Sequence, residues 1–91
     1  MVEQDKIDAV RRYLQEEFPG CDLEDRYQAA SSSQDFRVTH QGATYETRIS
    51  EEFFAAHDVA RVGGALIGFL LAEHLRDLPD TLVIVGKTGL S

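Results

Sequence analysis

From Glu51 to Leu78 the chain runs without a proline, in a helical pattern whose middle is apolar on almost every side. At about 100° per residue, Phe53, Ile67, Leu71, Leu75 and Leu78 fall on one side of the helix, and Val59, Val62, Leu66, Phe69 and Leu70 roughly opposite. A surface helix buries one apolar stripe; two stripes need cover from two directions. Ser50 can cap the start, Glu51 and Glu52 suit the positive end of the helix dipole, and His74 and Arg76 suit the other end. Pro79 stops the pattern, because the residue before a proline avoids the α region. Ala56, Ala60, Gly64, Gly68 and Ala72 recur every fourth residue, a row of small side chains along which another backbone can come close.

A straight helix over this stretch is roughly 40 Å long at 1.5 Å per residue. The strands below reach only about 20–25 Å at 3.3 Å per residue. Either the helix overhangs the sheet or it breaks at Gly63-Gly64, where each glycine costs about 1 kcal/mol relative to alanine. An overhanging apolar end needs a partner. The pattern therefore predicts a homodimer interface on the helix, at Ala60, Gly64, Ile67, Gly68, Leu71, Ala72 and Leu75.

At 91 residues the chain suits one domain, 1–91, small enough that self-association is a common route to stability. A net charge of −7 disfavours nucleic acid and anionic membranes and favours, if anything, a basic partner. The apolar run from Val62 to Ala72 is too short to span a bilayer. Cys21 is the single cysteine, so neither an internal disulfide nor a cysteine-built zinc site is expected, and the N-terminus shows no leader pattern. Both points favour a cytoplasmic protein.

The remaining elements follow from periodicity. Ile7, Val10, Leu14 and Phe18 make one stripe of a helix over Asp5 to Phe18, ended by Pro19-Gly20. Leu23 to Ala30, Asp35 to His40 and Ala43 to Ile49 read as strands, separated by Ser31-Ser32-Ser33-Gln34 and by Gln41-Gly42. A two-residue loop at Gln41-Gly42 sets His40 opposite Ala43, Val38 opposite Tyr45 and Phe36 opposite Thr47. The same register pairs Arg37 with Glu46 and Asp35 with Arg48, both of opposite sign. A four-residue serine turn would add Tyr27 beside Val38, and set Asp25 across from His40. Thr81 to Val85 reads as a buried strand, parallel to the third strand or the first by a right-handed crossover. The expected fold class is α+β, in the order αβββαβ: a mixed sheet of three antiparallel strands plus a C-terminal strand, with both helices on one face.

Chemistry-bearing residues are sparse. Gly86-Lys87-Thr88 follows a strand as in a phosphate-binding loop, but Thr81 stands where that pattern needs its first glycine; a frayed tail is expected there. His57 and His74 are too far apart along a helix to share an ion, and nothing basic adjoins Cys21 to activate it. Asp25, His40 and the arginines 26, 37 and 48 are the only candidates for ligand binding or catalysis, and Glu24, Asp35 and Glu46 share the face of those arginines. No catalytic residue, cofactor or metal is expected.

The order αβββα, with DFRVTHQGATYETRISEEFF at the last strands and second-helix start, resembles the double-stranded-RNA-binding domain. That resemblance implies RNA binding through lysines at the start of the second helix, where this chain has Ser50-Glu51-Glu52. The same order with a further strand, acidity and a dimer-prone helix resembles the small acidic secretion-chaperone-like α/β proteins. That likeness implies a homodimer that holds a partner chain, and the later strand and helix usual there are missing from the sequence pattern. The functional expectation is a non-enzymatic protein-interaction module, homodimeric through the long helix. The alternatives are an acidic RNA-binding domain and a small-ligand or catalytic domain.

Overall fold

A computed structural model describes residues 2–90. Helix α1 (Gln4–Glu17) leads into strands β1 (Asp22–Gln28), β2 (Ser33–His40) and β3 (Ala43–Ser50). Helices α2 (Glu51–Ala56), α3 (Val59–Gly68) and α4 (Leu71–Asp77) follow, then strands β4 (Leu82–Gly86) and β5 (Gly89–Leu90). The class is α+β, as the sequence implied, but the described chain has four helices and five strands where two and four were expected. The sheet order is β1-β2-β3-β4-β5. β4 lies parallel to β3, and the other pairs are antiparallel.

The β2–β3 hairpin has the register read from the sequence, from His40 opposite Ala43 to Asp35 opposite Arg48. Gln41 (φ 52°) and Gly42 (φ 79°) both take positive φ, as the two-residue turn matching strand twist requires. The β1–β2 pairing differs from expectation. Ala29–Ser31 forms a 3-10 turn and Ser32 takes φ 48°, so pairing resumes at Gln28–Ser33. Ser33 and Gln34 thus belong to β2, and Tyr27 meets Gln34 rather than Val38. The offset is even, so Tyr27 keeps its face of the sheet.

The long helix is three helices, and the breaks are not at the glycines: Gly63 and Gly64 lie inside α3. His57 is extended (φ −129°, ψ 131°), and the Asp58 carboxylate accepts from the Arg61 backbone N–H at 3.1 Å, capping a new helix. The second break is at Leu70, in the left-handed region (φ 59°, ψ 38°). Leu70 supplies no side-chain cap, so the buried hydroxyl of Tyr13 accepts from the Ala72 N–H instead, at 2.9 Å.

These breaks let one chain shelter part of both apolar sides of the segment, while Val59, Ile67, Leu70 and Leu78 stay exposed. Phe53, Val62, Leu66, Leu71 and Leu75 are all fully buried in one core. On a straight helix Ile67 would share a side with Leu71 and Leu75; the turn at Leu70 leaves Ile67 exposed and the other two enclosed. Leu78, beyond the last helical residue of α4, is exposed. The ammonium of Lys6 donates to the Phe54 carbonyl at 2.6 Å, tying α1 to the end of α2. Arg76 donates to the Glu17 carbonyl at 2.8 Å, tying α4 to the end of α1.

Phe36, Val38, Thr47, Ile49, Val83 and Val85 alternate onto one side of the sheet and pack into the helix core. The Thr47 hydroxyl is satisfied there by donating to the Val83 carbonyl at 2.9 Å. Gly86-Lys87-Thr88 is not a tail: it enters a two-residue turn that returns the chain as β5.

Candidate interaction surface

Of the seven interface residues expected from the sequence, Leu71, Ala72 and Leu75 are fully buried within the chain and present nothing to a partner. The break at Leu70 turns them inward under Tyr13. Ala60, Gly64, Ile67 and Gly68 remain exposed on α3, with Ile67 at 61% the most exposed large apolar residue described. A Cβ placed on Gly63, Gly64 or Gly68 meets no atom within 4 Å, so no internal contact requires glycine at these positions. The strip is small. Ten residues of helix span about 15 Å by 10 Å, a fraction of the ~800 Å² that each partner buries in an ordinary stable interface.

The other candidates are dispersed. Asp25 accepts from the Arg11 guanidinium and from the Gln34 amide at 2.9 Å. It faces Phe36 and not His40, because the β1–β2 register differs from the expected one. His40 sits edge-on to Phe18, its Nε2 3.1 Å from the Pro19 carbonyl oxygen. His57 and His74 each bond a carbonyl in their own segment, of Phe53 at 2.8 Å and Leu70 at 2.9 Å. Cys21 is partly buried against the core. Among the described residues no group of three His, Cys, Asp or Glu could hold a metal ion. No helix there is long and apolar enough to cross a membrane.

The arginines do share a face, the side of the sheet away from the helices. Arg37 and Glu46 pair at 3.2 Å. Arg48 grips Asp35 by two bonds of 2.8 and 3.0 Å, which raises the guanidinium pKa, chiefly through the hydrogen bond itself. Arg26 and Glu24 stand exposed beside them on β1. A shallow hollow of about 320 Å³ lies over this grid. On β4 the grid gives way to Leu82 and Ile84, exposed at 36% and 42%. The sequence reading missed these two, having taken Thr81 to Val85 as buried on both faces. Their exposure follows from the helices covering one side only.

Comparison with known proteins finds no matching family model, no matching curated protein and no matching solved structure.

Proposed function

We propose that the chain is a small non-enzymatic protein-interaction module that works as a homodimer. The observation that carries this reading is the uncovered sheet face, on which the apolar pair Leu82 and Ile84 stands beside a charged grid. Strands of seven, eight, eight and five residues, at about 4.8 Å spacing and about 3.3 Å per residue, give a patch of roughly 440 Å² before side-chain relief is counted. That approaches the lower end of what a specific interface buries per partner. The α3 strip expected from the sequence is smaller than the sheet face, which supports a contact on the sheet. The lone, partly buried Cys21 fits a reducing cytoplasmic setting. The charge of −7 favours a basic surface on any partner other than a second copy.

Sedimentation velocity over about 1–100 μM, the range in which modest interfaces populate both states, tests the reading. A concentration-dependent shift to a dimer is expected; a monomer throughout contradicts it.

A further inference from the structure

On the uncovered sheet face the register lines the outward side chains into rows across the strands. One row runs Glu24, Arg37, Glu46, Leu82. The next row, two residues along each strand, runs Arg26, Asp35, Arg48, Ile84. The first reads negative, positive, negative, apolar. The second reads positive, negative, positive, apolar, the inverse of the first at every charged position. Beyond them lie rows with little charge: Asp22, Thr39 and Thr44 on one side, Gln28, Ser33 and Ser50 on the other.

Consider a two-fold axis parallel to the sheet, perpendicular to the strands and midway between the two charged rows. It folds each strand of a second copy back over the same strand of the first. Glu24 then lies over Arg26 of the second copy, Arg37 over Asp35, Glu46 over Arg48, and Leu82 over Ile84. No like charges coincide, and the apolar pair meets its own counterpart. We infer that this face is a self-complementary interface and that its occupant is a second copy of this chain, stacked sheet on sheet. This inference rests on the homodimer reading above and names the surface and pairing it uses.

The geometry suits such stacking. Aligned sheets pack about 10 Å apart and turn about 30° from each other, which preserves register at the centre and relaxes it at the corners. The two charged rows are the central ones. Arg37–Glu46 and Arg48–Asp35 stay intact, and each guanidinium gains a second carboxylate from the other copy. The hollow of about 320 Å³ leaves room for the long side chains that arrive.

The test uses Glu24 and Arg26, which are exposed and make no ion pair among the described residues, so their replacement removes no internal bridge. Each reversal also sets a like charge against its own cross-strand neighbour, Arg37 or Asp35, a cost that falls on the folded monomer and is read separately by denaturation. Glu24→Arg sets like charges against Arg26 of the second copy, twice by symmetry. Arg26→Glu does the same against Glu24. Each variant alone is expected to dimerise at least about tenfold more weakly than the unaltered chain at low salt. An equimolar mixture restores both contacts and returns the dissociation constant to within about a factor of three of the original. Circular dichroism checks that each variant folds. Ile84→Glu, which sets a charge over Leu82 of the second copy, is the independent probe and is expected to abolish the dimer. Variants that dimerise as well as the original, or a mixture no tighter than either alone, overturn this interface while leaving the homodimer standing. A monomeric original chain removes both.

Discussion

The phenol oxygen of Tyr13 in α1 lies 2.9 Å from the backbone nitrogen of Ala72, in the first turn of α4. That one bond caps a helix whose own flanking residue cannot do so. Replacing Tyr13 by Phe leaves the Ala72 N–H buried without its acceptor. The expected loss is about 1–3 kcal/mol of folding stability, read by urea denaturation, with no change in oligomeric mass. A loss within error of zero would mean that water or another group caps α4.

Burial raises the Tyr13 phenol above its ordinary 10.0, outweighing the Ala72 hydrogen bond, which pulls it down. The folded chain therefore holds this proton more tightly than the unfolded chain. Its contribution to stability is complete below about pH 10 and is lost as the pH rises from there through the folded value. Tyr13→Phe is expected to flatten the fall in stability as the pH rises above about 10, measured by denaturation at fixed ionic strength. An unchanged slope would contradict the assignment.

Asp58 distinguishes one helix from two. In a continuous helix Asp58→Ala would stabilise by a few tenths of a kcal/mol, because alanine is the better helix former. Here Asp58 caps α3 through the Arg61 N–H, so the same change is expected to cost about 1 kcal/mol. The sign of the shift in denaturation midpoint decides.

Gly64 lies in α3 with open space where its Cβ would stand. Gly64→Ala is expected to stabilise by about 1 kcal/mol, or about 4–8 °C in Tm for a domain of this size. With the dimer contact on the sheet, its dimerisation constant should equal that of the original chain. A weakened dimer would return the interface to α3.

Where the sequence could be read, local chemistry left a single choice. Gln41-Gly42 fixed the hairpin loop, and the opposed charges of Arg37–Glu46 and Asp35–Arg48 agreed with it. The serine turn was read as the four residues Ser31-Ser32-Ser33-Gln34, and the 3-10 turn over Ala29–Ser31 carries no distinctive residue that would have moved the loop earlier. The helix breaks were illegible for a different reason. Two glycines drew attention to the middle of the segment, while the deciding residues were Asp58, an ordinary polar residue in a helix pattern, and Leu70, whose left-handed φ no leucine advertises. The burial of Leu71, Ala72 and Leu75 followed from the second break, so the expected interface lost its C-terminal half. Only the β2–β3 part of each charged row, Arg37–Glu46 and Asp35–Arg48, could be read from the sequence. Their inverse relation emerged only with the observed β1–β2 register, which sets Glu24 beside Arg37 and Arg26 beside Asp35.

Sedimentation equilibrium of the unaltered chain, repeated from low salt to about 1 M, where the screening length falls to about 3 Å, tests self-association most directly. At low salt the mass should rise with concentration from 10.2 kDa toward twice that value, and added salt should drive it back. A mass fixed at 10.2 kDa at every concentration and salt would contradict the homodimer and, with it, the pairing of the two charged rows.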